Sequence, residues 1–325
     1  MLDRRRLLMC AAAFAALAVA GPIGPARASD APQLQIFVPA APGGGWDQTA
    51  RTMELVLRAE HLISGAQITN VGGAGGTVGL PQFINQWKGR ESAIMVGGMV
   101  MTGAIIANKS PATLDQTTPI ARLTGEFLAL VVPANSPFNS LQDFVAALKA
   151  DPTKVPVAGG SAGGSDHILF GLVAKASGVK PTELSYVPFA GGGEALAALL
   201  GNQVAAGISG YGEFAEQVKA GNLRVLAISA DKRQAGIDAA TFKEAGVDVE
   251  LFNWRGIFAP PGITEENRLA LIAMIEKMAT SKAWKEETEK RSWTPILLTG
   301  GAYSDFLAKD TAKITAVLKD LGLAS

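Results

Sequence analysis

Two stretches decide the fold: VPAAPGGGWDQTAR, from Val38 to Arg51, and VPFAGGGEALAALL, from Val187 to Leu200, 149 positions further on. Each runs from an apolar strand end through three glycines into a helix, and together they make a weak internal repeat consistent with two lobes of similar construction. Three further segments share the design: VGGAGGTVGL from Val71, VAGGSAGGSDH from Val157 and AAGISGYGEF from Ala205. Between them, short β-rich runs alternate with longer helical patterns, which predicts an α/β fold with largely parallel sheets. Strands are expected at Leu34 to Pro39, Ala93 to Val96, Ala129 to Val132, Val155 to Ala158, Ser185 to Val187, Ala205 to Ser209 and Val225 to Ser229. Helices are expected from Trp46 to Glu60, with Trp46, Ala50, Met53 and Leu57 on one face, and after Ser140, where Asp143 completes a capping box before Leu141, Phe144, Val145 and Leu148. Another begins at Thr264, with Leu269, Ile272, Ile275 and Met278 inward, and the last runs from about Ser304 to Leu321 and ends at Gly322.

Glycine makes up 37 of 325 residues, about 11% against the usual 7% or so, without a collagen period or low complexity. Placed at strand-to-helix turns, it permits positive φ and lets a ligand reach bare backbone N–H groups. A helix N-terminus behind the turn adds free donors and about half a positive charge, so each segment is a potential anion seat. No turn carries Lys or Arg, so an anion there would rest on amides and on the hydroxyls of Thr49, Thr77, Ser161, Ser165, Ser209 and Tyr211. Asp47 at the mouth of the first turn is either a first-turn carboxylate favoured by the dipole or a group that orients a water or a ligand hydroxyl.

The N-terminus changes the charge arithmetic. Arg4 to Arg6 precede an apolar run from Leu7 to about Ala20, and Ala26, Arg27 and Ala28 form an A-x-A site, the pattern of a secretory signal cleaved after Ala28. Export through the Sec or the twin-arginine route is left open, because Asp3 replaces the usual Ser/Thr before Arg4 and Arg5. Removing residues 1–28 takes four basic and one acidic side chain from the balanced 29 and 29, leaving 25 against 28 and a mature charge of about −3. The single cysteine, Cys10, leaves with the signal. Disulfides, thiol nucleophiles and thiolate metal sites are thereby excluded. A chain that is 48% apolar with no basic excess is neither disordered nor a nucleic-acid binder.

Competing chemistry can be weighed motif by motif. Gly159, Ser161 and Gly163 fit the G-x-S-x-G of a hydrolase nucleophile elbow, but His61 precedes the serine and His167 follows it by six residues, where that fold needs a distant histidine. A phosphate-binding loop with a lysine is missing, Gly73, Gly75 and Val78 lack the third glycine of a dinucleotide fingerprint, and no metal motif occurs. His167 beside Asp166 reads as a first-turn residue before it reads as a general base.

VPAAPGGGWDQTAR, VAGGSAGGSDHILFGLVAKASGV, SYVPFAGGGEALAALLGNQVAAGISGYGEF, LRVLAISADKR and NWRGIFAPPGIT, in that order over nearly the whole mature chain, resemble the periplasmic solute-binding component of tripartite tricarboxylate transporters, the TctC or Bug family. The Trp46–Asp47 pair, GGSAGGSDH and NWRG resemble its tricarboxylate-binding branch more than the amino-acid or dicarboxylate branches. The resemblance implies a two-lobed periplasmic-binding-protein fold, a Venus flytrap in which each lobe is a sheet flanked by helices and the ligand cleft lies between them. It implies a monomer that captures a carboxylate, citrate first and otherwise a dicarboxylate, and delivers it to a membrane permease, with no catalysis, cofactor or metal. Carried over by position, the ligand contacts are Pro42, Gly43, Gly44, Trp46, Asp47, Gly75, Gly76 and Thr77 on the first lobe. On the second they are Ser161, Ser165, Ala190, Gly191, Gly192 and Tyr211. Arg255 either meets a ligand carboxylate or braces the hinge region. Crossings near Gly125 to Val131 and Leu226 to Ala230 divide the chain into residues 29–126 with 229–325 and residues 127–228. The alternatives are an exported esterase acting through Ser161 and a sensory protein that binds a partner.

Overall fold

The computed structural model describes residues 31–189 and 192–324. The signal sequence with Cys10, and the predicted contacts Ala190 and Gly191, lie outside the described residues. In chain order the elements are β1 (Gln33–Val38), α1 (Gly45–Ala59), β2 (Gly65–Asn70), a 3-10 turn (Ala74–Gly76), α2 (Gly79–Gln86), β3 (Ala93–Gly98) and α3 (Met99–Ala107). Next come β4 (Thr118–Pro133), α4 (Leu141–Ala150), β5 (Val157–Gly159), α5 (Ser165–Ala176), β6 (Tyr186–Pro188), α6 (Gly192–Leu200), β7 (Ala206–Gly210), α7 (Tyr211–Lys219) and β8 (Leu223–Ile228). The chain closes with β9 (Phe252–Ala259), α8 (Glu265–Thr280), α9 (Lys282–Lys290), β10 (Thr294–Thr299) and α10 (Gly300–Asp320).

The strands follow the order β2-β1-β3-β9-β4-β7-β5-β6, with β10 and β8 also paired to β4. The 16-residue β4 changes partners along its length. Thr118 to Phe127 pair with β9 and Ala121 to Gly125 with β10, whereas Leu128 to Val131 pair with β7 and Ala129 to Pro133 with β8. The sheet is mixed rather than largely parallel. β1 with β2 and β3, and β5 with β6 and β7, are parallel, while every antiparallel ladder involves β4 or β9.

Side-chain alternation along β4 feeds two apolar clusters. Leu128, Leu130 and Val132 join the main core, while Phe127, Ala129 and Val131 pack on the opposite face with Leu199, Phe214 and Leu223. Strands covered on both faces read as unbroken apolar runs, and all six residues of β3 are buried. Trp46, Ala50, Met53 and Leu57 bury the expected face of α1. Ser140 and Asp143 form the expected capping box of α4, and Thr264 caps α8 by accepting from the Asn267 N–H. Leu269 departs from expectation. It is 53% exposed, and Leu271 is buried instead, so the inward stripe of α8 begins two residues later. The C-terminal helix stops where Gly322 turns to φ +70°. Among the described residues no helix is long and apolar enough to cross a membrane.

Candidate functional site

All five glycine turns border one cavity of about 340 Å³, within the range of small-molecule sites. The first supplies Pro42 to Trp46 and the second Gly73, Gly75 and Gly76. The third supplies Gly160, Ser161, Ser165 and Asp166, the fourth Gly192 to Glu194, and the fifth Ser209, Gly210 and Glu213. Val100 of α3, Glu126 of β4, and Asn253 and Arg255 of β9 also line it. No side chain caps α1, α5 or α7, which begin at these turns, so their first N–H groups are not taken up by capping side chains.

The glycines are used for space as well as conformation. At Gly75, with φ +64°, a Cβ would collide with the Ala104 methyl, and at Gly192 it would overlap the Glu213 carboxylate. Gly76 lets the Trp46 indole and Met101 close over the second turn.

Of the predicted contacts within the described residues, Pro42, Gly43, Gly44, Trp46, Gly75, Gly76, Ser161, Ser165 and Gly192 line the cavity. Asp47, Thr77 and Tyr211 do not. Asp47 turns back to lock its own loop, where the Gly43 N–H donates at 2.8 Å, Arg51 Nε at 2.8 Å and Asn70 Nδ2 at 3.0 Å. Burial pushes its carboxyl upward, but those three donors outweigh it and hold the group below the usual carboxylate range. Thr77 Oγ1 donates to the Ala74 carbonyl at 2.8 Å. Tyr211 packs on Phe127 with ring centroids 6.1 Å apart.

Arg255 lies at the cavity floor, 3% exposed. Its guanidinium pairs with the Glu126 carboxylate, donates to Thr49 Oγ1 at 3.3 Å and stacks 4.9 Å over the Trp293 ring. These contacts brace the junction of β4, β9 and α1. Asn253 Nδ2 donates to Glu126 Oε1 at 3.3 Å, while its Oδ1, buried in the same floor, has no partner.

The acidic side chains were not anticipated as a group. Asp166 accepts from the Gly160 N–H at 2.7 Å and from Ser165 Oγ at 2.9 Å. Burial pushes its carboxyl up to about 6, with the Glu126 charge adding to the rise. Burial lifts Glu213 further, to about 8, helped by the charges of Glu126 and Asp166 and opposed by Arg255 and by a hydrogen bond from Ser209. His167 is not placed as a base for Ser161. Its Nδ1 accepts from the Gly163 N–H at 3.2 Å, its ring stacks on Tyr186 at 4.1 Å, and burial lowers it to about 4.

This architecture defines the class. The fold is that of the periplasmic binding proteins, and solved BugD matches it with a TM-score of 0.80 at 21% identity, over 90% of this chain and 98% of BugD. A family model, the tripartite tricarboxylate transporter family receptor (TctC), matches residues 50–323, and the chain belongs to that family. BugT of Bordetella pertussis is 27% identical over 328 residues, 99% of either chain. MatC from Rhodopseudomonas palustris, solved with malate, is 22% identical with a TM-score of 0.76, over 88% of this chain and 98% of MatC. The family match begins after the first glycine turn, so that loop joins the site through its position at the cavity.

Proposed function

We propose that the chain is an exported receptor that captures a carboxylate-bearing solute between two lobes and delivers it to the membrane permease of a tripartite transporter. Residues 29–126 with 229–325 make one lobe and residues 127–228 the other, and the ligand contacts are the cavity-lining glycine turns of both. The observation that carries this reading is the convergence of five glycine turns, from both halves of β4, on one cavity, with uncapped helix N-termini behind three of them. Each such dipole contact contributes about 0.3 to 1 kcal/mol when exposed and up to about 2 when partly buried, so useful affinity requires several at once. Binding to turns on both lobes therefore favours closure around the solute.

Malate in MatC supports a small carboxylate as the class. His167, already engaged by Gly163 and Tyr186, weighs against the esterase alternative. A melting screen of the mature chain with succinate, malate, glutarate, adipate, aspartate, glutamate and citrate tests the proposal. A ligand at 100 times its Kd adds about 2.7 kcal/mol. At about 0.6 kcal/mol per K for a chain of roughly 300 residues, that raises Tm by about 4 °C. No shift from any carboxylate overturns it.

A further inference from the structure

We propose that Gly103 of α3 is a closing contact between the two lobes, which lets the third glycine turn reach the cavity when solute is bound and releases it when none is. This rests on the two-lobed capture of a carboxylate and names the residue that limits closure.

The contact is backbone against backbone. Val100, Gly103 and Ala107 share one face of α3, at i, i+3 and i+7, and that face meets Gly163 and Gly164 of the third turn. A methyl on Gly103 would overlap the Gly163 carbonyl oxygen. A methyl on Gly163 would stand 2.5 Å from that of Ala107, and one on Gly164 would stand 3.2 Å from Val100 Cγ1. Because α3 belongs to residues 29–126 and the third turn to residues 127–228, the contact runs from one lobe to the other. It also adjoins the solute site, since Val100 lines the cavity on one side and Gly160, Ser161 and Ser165 line it on the other.

Glycine inside a helix is less favourable than alanine, so Gly103 calls for a packing reason, and the approach to Gly163 supplies it. The contact is nevertheless built to part. The Gly163 N–H donates to His167 Nδ1 at 3.2 Å and the Gly164 N–H to the Ser161 carbonyl at 2.9 Å, so both are spent within the turn's own neighbourhood. Among the described residues no hydrogen bond or ion pair joins α3 to the third turn. A face of glycine, alanine and one valine also exposes little apolar surface when it separates. Such a contact is weak alone and persists when a solute ties both sides together. Two bare backbones give the closest approach a chain allows. Any side chain at position 103 therefore holds Ser161 and Ser165 back from the solute.

The experiment compares the full mature wild type with Gly103→Ala. Gly163→Ala is less informative, because φ +75° at that position strains any side chain. Each protein is melted without added solute, titrated calorimetrically with succinate, malate, glutarate and adipate, and measured by small-angle scattering with and without the tightest of these. Without solute, Gly103→Ala is expected to melt between the wild-type temperature and about 2 °C above it, because alanine favours the helix and the lobes stand apart. Its affinity for the tightest carboxylate is expected to fall about 10- to 100-fold, the cost of overpacking a closed contact, and the solute-induced compaction seen in the wild type is expected to be lost. Permanent packing would give the opposite sign in the melt. A variant that binds as tightly as wild type, or one that without solute melts about 3 °C or more lower or fails to fold, overturns the closing contact and leaves the carboxylate reading standing. If the wild type binds none of the four, the carboxylate reading falls and the melt alone decides: a lowered Tm overturns the contact, and an unchanged or raised one supports it.

Discussion

Replacing Arg255 by methionine leaves the Glu126 carboxylate, 5% exposed, buried without its cation. Methionine fills the space of the arginine stem against Trp293 but offers nothing to Glu126 or Thr49. Breaking a buried ion pair from one side costs about 3 to 5 kcal/mol, because the remaining charge has no partner. The surroundings place this case toward the upper end, since the Glu126 charge already raises Asp166 and Glu213 and the Arg255 charge counteracts it at Glu213. At about 0.6 kcal/mol per K for roughly 300 residues, the expected fall in Tm is about 5 to 8 °C by differential scanning calorimetry at pH 7.5. The double substitution Arg255→Met with Glu126→Leu recovers at least half of the loss, because replacing a whole buried pair with apolar side chains is often neutral. The remainder belongs to Asn253 Nδ2, which loses its acceptor. A single variant melting within about 1 °C of wild type, or a double variant no better than the single, refutes the brace.

Other consequences are equally checkable. Asp47→Asn removes an acceptor shared by Gly43 and Arg51 and should destabilise the protein by about 1 to 3 kcal/mol at pH 7. Because the Asp47 carboxyl is held below its usual 3.8, its ionised contribution is complete above that value and disappears as pH falls through the lowered one, so the two melting curves converge in acid. Glu213 behaves oppositely. Its raised value near 8 makes the protein lose stability as pH climbs from about 4.5 through 8, and Glu213→Gln should remove that slope in melts from pH 5 to 9. His167, neutral in the fold down to about 4, costs stability as pH drops below about 6.5, and His167→Gln should flatten the acid limb over the same melts.

The glycine turns were legible because their reason is local. An apolar strand end, consecutive glycines and a helical stripe name a strand-to-helix turn without reference to anything distant. The three strands and the half of a fourth that the pattern passed over all depend on tertiary context. β2, GAQITN, lies at the end of the strand order with no fully buried residue, and β10, TPILLT, likewise has none. The first half of β4, TPIARLT, carries Pro119 and Arg122, and β9, FNWRGIFA, hides its strand character behind a buried arginine. β4 and β9 also take part in every antiparallel ladder, so the expectation of largely parallel pairing failed around them.

The acidic wall was obscured for a different reason. Asp166, Glu194 and Glu213, like Asp47, sit in the first turn of a helix, where a carboxylate already has an explanation in the dipole. Their convergence appears only when α5, α6 and α7 are brought side by side. Glu126 left a usable signal, a lone carboxylate in the run LTGEFLALVV, with Arg255 as its partner in the NWRG stretch. Pairing those two from sequence would have given Arg255 its buried partner.

The central claim is that the glycine-walled cavity is where this receptor takes its solute. Calorimetric titration of the mature chain with the best ligand from the carboxylate screen, beside a Ser161→Trp variant that puts an indole into the cavity, tests it most directly. The account predicts saturable one-to-one binding to the wild type and no binding to a variant that still melts cooperatively. Undiminished binding by the folded variant would contradict it.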